Sequence, residues 1–395
     1  MANNNNNVIA AVELIAALER KDPPSSLDEI RSIASADPIV LKSKLVWYHH
    51  DGVTPLRVAC ANPQVDDAII EYLIREWPDS VYIPSTGGML PIHMACCAGM
   101  SIESIQRLAL HHPESLEMES SLGCPLHCAS ISPHTSLETI QFLYEQYPKA
   151  IHCKSCRGDL PLHLSIESKL VEVVQFLAEA DPKCLLVSNK YGQLPIHTAA
   201  YQGASLDILQ CLASLCPESL QTKDNNGDIP LQQVACHGDF SAKQVLEYLI
   251  ANKGDFDPSC LLHEFYRHKK RQNLELIRFV LEKVPESVRT KNDRGELPLH
   301  RVIKGGLFNC SFWEAGQHLH LRALVQAYPT GLFVPCRLGS TPLDTLKRSR
   351  GYSEDTKSFL EEQMRQILGG FLQRIAAKFG VPETVLEHQV LPFVL

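Results

Sequence analysis

Apolar residues recur along the chain in short stretches at helical spacing: Ile69-Ile70-Leu73, Ile105-Leu108, Ile140-Leu143, Val173-Val174-Leu177, Ile208-Leu209-Leu212 and Leu276-Ile277-Val280. Positions i, i+3 and i+4 lie on one side of a helix, so each stretch predicts an amphipathic helix with a single buried face. Most are followed by a proline of one series (Pro78, Pro113, Pro148, Pro182, Pro217, Pro285 and Pro329), which ends the helix because proline has no N–H and its ring clashes with the preceding turn. A second, out-of-phase series opens a shorter apolar run. It reads Thr54-Pro55-Leu56-Arg57, Leu90-Pro91-Ile92-His93, Cys124-Pro125-Leu126-His127, Leu160-Pro161-Leu162-His163, Leu194-Pro195-Ile196-His197, Ile229-Pro230-Leu231-Gln232, Leu297-Pro298-Leu299-His300 and Thr341-Pro342-Leu343-Asp344.

Successive prolines of this second series lie 36, 34, 36, 34, 35, 68 and 44 residues apart. The 68 is two periods with a degenerate copy near Leu261-Leu262-His263, and the 44 is one period with an insertion. A period of this size predicts a repeat array, in which each unit buries its apolar face against its neighbours. Proline suits the first helical turn, where its missing N–H has no intrahelical partner. A glycine two or three residues earlier, as at Gly158 and Gly192, supplies a tight turn. Each unit is therefore turn, helix, short link, helix.

The ends depart from the period. Residues 1–24 are expected to hold a frayed asparagine run outside the fold and a capping helix carrying Val8, Val12, Ile15 and Leu18. Residues 25–350 form the array of about eight or nine units. Residues 351–395 form a C-terminal cap or tail, with a charged helix from Glu354 to Leu368, a break at Gly369-Gly370 and a second helix through Phe379. Two roles stay open for this last segment: covering the exposed end of the array, or recruiting a partner through Val390 to Leu395.

The phrase resembles the ankyrin repeat, whose units of about 33 residues carry Thr-Pro-Leu-His and, one residue later, alanine. Ala59, Ala95, Ala129 and Ala199 stand at that alanine position, while Ser165 and Val302 replace it elsewhere. Only Thr54 and Thr341 keep the threonine, an N-cap hydroxyl contributing about 0.5–2 kcal/mol; Leu, Cys or Ile fills the other places. Asp159, Asp228 and Glu296, just ahead of these helices, are expected to offset part of that loss through the helix dipole. The resemblance implies an all-α, ankyrin-type helical repeat solenoid with short turn or hairpin tips and helical end caps. It also implies a non-enzymatic scaffold that binds a protein partner on a concave face of turn tips and first helices. The alternative is an adaptor whose C-terminal segment recruits an enzyme or complex while the repeats select the substrate. Candidate contacts on that face are Arg157, Lys190, Tyr191, Tyr201, Lys223 and Arg294. The insertion Gly305–Gly316 adds Phe312 and Trp313, aromatics that either make a binding loop or fold back on the core.

Charge narrows the partner. A formal net charge of −8 argues against nucleic acid, whose binders carry a basic stripe. Arg267-His268-Lys269-Lys270-Arg271 reads as a solvated link between helices rather than a nuclear signal. No apolar run is long enough to span a membrane and no leader is indicated, so the expected location is cytoplasmic, with the nucleus possible, and the expected state monomeric. The 14 cysteines are scattered, several at one repeat position such as Cys60 and Cys96, and read as reduced, buried small hydrophobes.

Candidate chemistry is sparse. The histidines His93, His127, His163, His197 and His300 recur once per unit, which spreads them along the array instead of around one ion, so they are structural. Cys153-Lys154-Ser155-Cys156 has a zinc-knuckle gap but no second pair, so no metal or other cofactor is expected, and these two thiols should be the most reactive. Neither a nucleophile elbow nor a phosphate-binding glycine loop is present.

Overall fold

The computed structural model describes residues 2–21, 24–36, 45–47, 50–234, 242–252, 258–266, 274–307, 317–348 and 354–379. It is helical throughout apart from a two-stranded antiparallel ribbon, and it divides into two compact units, Met1–Pro230 and Leu231–Leu395.

In the first unit, helices α1 (Ala2–Glu19) and α2 (Leu27–Ala36) precede the ribbon β1 (Leu45–Trp47) and β2 (His50–Val53), which pairs Leu45 with Val53 and Trp47 with His50. Five helix pairs follow: α3 (Pro55–Cys60) with α4 (Asp67–Glu76), α5 (Pro91–Ala98) with α6 (Ile102–His111), α7 (Pro125–Ile131) with α8 (Leu137–Gln146), α9 (Pro161–Ser168) with α10 (Val171–Ala180), and α11 (Pro195–Gln202) with α12 (Leu206–Leu215). First helices pack on first helices and second on second, so the core is a continuous file: Leu56, Ile92, Leu126, Leu162 and Ile196 from one row, Ile70, Ile105, Ile140, Val174 and Leu209 from the other, all 2% exposed or less.

The predicted stops appear as a repeated geometry. Trp77, His112, Tyr147 and Cys216 each precede a proline at φ near −142 and ψ near 78, and a 3-10 turn follows. The proline ring excludes the α region for the residue before it, so the helix must end there. Starts are capped as well: Ser101, Ser136 and Ser205 accept from the backbone N–H three residues on, and Asp66 from the N–H two residues on.

Helix α1 begins at Ala2, so the asparagine run is continuous helix rather than frayed chain, leading into the buried Leu14, Ala17 and Leu18. Propagating a helix adds one hydrogen bond per residue ordered, so an anchored helix extends through residues that would not nucleate one. Asn62 closes its far end, donating to the carbonyls of Leu18 at 2.8 Å and Arg20 at 3.1 Å.

A short helix α13 (Pro230–Gln233) stands at the division between the units. The second unit then contains α14 (Ala242–Ala251), α15 (Leu261–Phe265), α16 (Leu274–Lys283), α17 (Pro298–Leu307), α18 (Gln317–Ala327), α19 (Pro342–Arg348) and α20 (Glu354–Phe379). Gly369-Gly370 does not break α20, which runs through both glycines as one helix of 26 residues. Glycine weakens a helix by about 1 kcal/mol but does not forbid it, and helix formers flank this pair on both sides. Leu360 and Met364, one turn apart, are buried, and Arg322 stacks over Phe359 at 5.0 Å, so the first half of α20 is docked. Gly305 and Gly306 belong to α17, so the insertion starts after Leu307. Phe312, Trp313, the basic run at 267–271 and the terminal 390–395 lie outside the described residues.

Candidate interaction surface

Four turn tips are built on a polar residue three positions before the glycine. The Asn189 Oδ1 accepts from the N–H of Tyr191 at 2.9 Å and of Gln193 at 3.1 Å; Asp224 Oδ1 does the same for Asn226 and Asp228, and Ser155 Oγ for Arg157 and Asp159. Asn292 repeats this for Arg294 and Glu296 in the second unit. Such side chains mimic a backbone turn, and Gly158, Gly192, Gly227 and Gly295 complete it at φ 70 to 82. The spacing was present in the sequence, but its role as a two-bond staple is a finding of the structure.

Neighbouring tips are then joined through their backbones. Lys190 N donates to Arg157 O at 3.1 Å, Asn225 N to Tyr191 O at 3.1 Å, and Asn225 Nδ2 to Lys190 O at 3.0 Å. Arg157, Lys190, Tyr191 and Lys223 are all exposed on this joined row. Their side chains are not equivalent, since the Lys190 ammonium donates to Cys156 O at 2.6 Å and so belongs partly to the scaffold. Tyr201 stands on α11 with 43% of its surface exposed. On α9, Glu167 accepts from Gln202 at 3.4 Å, and partial burial raises its carboxyl pKa. Arg294 is exposed on a tip of the second unit, its carbonyl accepting from Arg337 N at 3.2 Å.

Behind the tips, the repeat histidines are fully buried. Nδ1 of His93, His163, His197 and His300 accepts from the N–H of the leucine that opens its own helix, at 3.0 to 3.3 Å. The histidine thus supplies a capping bond at the helix starts where leucine replaced threonine. In α7 the Cys124 thiol sits 3.1 Å from His127 Nδ1 in the corresponding place. Because Nδ1 accepts from a backbone donor, Nε2 carries the proton, and it donates to a carbonyl of the next unit: Met118, Gln193, Thr222 or Ser340. His263 in the degenerate α15 keeps this second bond, to Thr290 O at 2.9 Å. The acids ahead of the helices act across the seam or the turn: Asp159 accepts from Asn189 Nδ2, and Glu296 pairs with Lys304.

One constellation has the residue types of a nucleophilic site. Cys184 Sγ lies 3.6 Å from His152 Nδ1, and His152 Nε2 lies 2.9 Å from Asp181 Oδ2. The thiol is fully buried, however, and burial pushes its pKa up to about 11, so it is protonated and out of a substrate's reach. Cys156 is exposed, whereas Cys153 is half-buried with its pKa raised by burial, so the two do not form an equally reactive pair. Among the described residues no group of three His, Cys, Asp or Glu side chains is arranged to hold a metal ion, and no helix is long and apolar enough to cross a membrane.

Residues 92–185 match the family model for ankyrin repeats, in three copies. This stretch is an ankyrin-repeat array. The crystal structure of the human ASB11 ankyrin repeat domain is similar to the chain at 18% identity, covering 64% of this chain and 99% of that one with a TM-score of 0.46. No curated protein matches the sequence. Ankyrin repeats generally mediate protein–protein interactions and are typically non-enzymatic.

Proposed function

We propose that the protein is a non-enzymatic scaffold that binds a partner protein across the turn tips and first helices around α9 and α11, through Arg157, Lys190, Tyr191, Tyr201 and Lys223. The observation that carries this reading is Tyr191. Tyr191 is 57% exposed, while its N–H and C=O are both held, one by Asn189 and the other by Asn225 of the next tip. An aromatic side chain presented on an immobilised backbone loses little entropy on binding, and tyrosine and arginine dominate interface hot spots. The neighbouring cations favour a partner with an acidic or mixed-polar surface, steered by charge. Arg294, in the second unit, is a separate candidate. The docked first half of α20 supports a capping role for that helix.

Affinity purification with the intact protein supplies the partner, and the affinity of that pair is then measured for Arg157→Ala/Tyr191→Ala. The double variant should lose more than about 1 kcal/mol of binding with an unchanged melting temperature. Unchanged affinity in this variant, together with loss of binding in Phe312→Ala/Trp313→Ala, would overturn the assignment in favour of the insertion.

A further inference from the structure

Two neighbouring seams between second helices are filled differently. Across α8 and α10, Tyr144 meets Phe176 edge to face, with ring centroids 5.7 Å apart. Tyr144 stands four residues before the proline that follows its helix, and Phe176 six before its own. One repeat earlier, across α6 and α8, the same two registers hold Ala109 and Phe142. Alanine supplies no ring, and Phe142 stays half-buried. The helices leave a cleft of about 520 Å³ at this seam, with apolar walls of Ala109, Leu110, Pro113, Leu116 and Phe142. Sites that seat small ligands enclose roughly 300–1,000 Å³. Leu110 is 78% exposed, so the apolar surface runs from the cleft out to solvent.

The charge around the cleft has one sign. Glu103 lines it and makes no ion pair among the described residues. Glu138 and Glu145 lie four residues before and three after Phe142, which puts them on its side of α8, and both are exposed. The two helices contain a single arginine and no lysine, and that arginine is engaged elsewhere: Arg107 lies 3.6 Å from Glu71 and donates to Asp67 O at 3.0 Å. An apolar slot beside an aromatic ring thus opens between uncompensated carboxylates.

We propose that this cleft is a second docking site, which takes a short segment of a partner protein carrying a tyrosine or phenylalanine flanked by lysine or arginine. The ring takes the place beside Phe142 that Tyr144 takes beside Phe176 one repeat on, and it covers Leu110. Aromatic pairs in this geometry gain more than their buried area alone supplies, and an aromatic anchor in a preformed pocket is the usual centre of a small interface. The flanking cations face Glu103, Glu138 and Glu145, which speeds encounter and disfavours acidic competitors. The site stands on second helices and shares no residue with the tip and first-helix surface around Tyr191.

The test selects a display library of short random peptides on the full-length wild-type chain, with Ala109→Tyr as the counter-selection target. That variant supplies from α6 the ring that Tyr144 supplies from α8, and so closes the cleft from within. Peptides held by wild type and refused by the variant should share an aromatic residue with a lysine or arginine beside it. Synthesised with a fluorescent label, such a peptide should bind Glu103→Lys and Leu110→Ser, both changes of exposed side chains, about tenfold or more weakly than wild type. It should bind Arg157→Ala/Tyr191→Ala as well as wild type, and added salt should weaken it. A library that yields no peptide refused by Ala109→Tyr, or whose refused peptides are acidic or lack a ring, would overturn the proposal, as would peptides lost only in Arg157→Ala/Tyr191→Ala. Should Ala109→Tyr fail to fold, Leu110→Ser takes its place in the counter-selection and the same outcomes decide.

Discussion

His163 Nε2 donates to the carbonyl of Gln193, 30 residues further on, at 3.0 Å, while Nδ1 of the same ring accepts from Leu160 N at 3.2 Å. One buried side chain thus caps its own helix and ties it to the next repeat. Removing it leaves a buried N–H without that acceptor and a carbonyl without that donor, each costing about 1–3 kcal/mol. His163→Ala should therefore lower the free energy of unfolding by at least about 1–3 kcal/mol, read by urea denaturation, with no change in metal content. A variant as stable as the parent would show that water replaces both bonds.

Acid should weaken the same seams. Burial lowers the pKa of His93, His163 and His197, and that of His127 to about 4, against about 6.5 in an unfolded chain. For His127, between about pH 6.5 and pH 4 the unfolded state binds more protons than the folded one, so stability rises with pH in that window. The contribution is fully present above the unfolded value and is lost as pH falls through the folded one. The urea midpoint should fall between about pH 7.5 and pH 5, and less so in His127→Gln. A midpoint flat over this range would rule out the neutral, Nε2-protonated assignment.

Two turn glycines with the same backbone conformation should respond differently. Gly192 has φ 74, and an added Cβ would meet the Asn225 side chain and lie 2.6 Å from the Asn225 backbone nitrogen; Gly227 has φ 82 with nothing among the described residues within 4 Å. Gly227→Ala should cost only the left-handed strain, about 1–2 kcal/mol. Gly192→Ala should cost clearly more because it also parts the two joined tips. Equal losses in thermal melts would show that tip contact contributes nothing.

Helix α20 offers the reverse experiment. Among the described residues, a Cβ added at Gly369 or Gly370 meets no neighbour within 4 Å. Alanine at each should therefore raise helix stability by about 0.5–1 kcal/mol, seen as increased helical circular dichroism and slower amide exchange over 354–379. A loss of helicity would mean that the glycines serve a bend.

Most of the fold was legible in the chain because its determinants are local. Pro91, Pro125, Pro161 and Pro195 open helices, Pro78, Pro113, Pro148 and Pro217 force the preceding residue out of the α region, and the apolar stripes select the buried face. The polar residue three before the tip glycine, at Ser155, Asn189, Asp224 and Asn292, was equally visible and awaited only its hydrogen bonds. Local rules misjudged the ends, where the asparagine run and Gly369-Gly370 are poor helix formers taken up by helices anchored elsewhere. What the sequence could not show is everything that crosses a seam. Whether Lys190 is a free cation or a tie to Cys156 O, and which carbonyl meets His163 Nε2, both depend on residues about 30 apart whose separation is set by stacking. Periodicity predicts that repeats stack; side-chain geometry decides which atoms then meet.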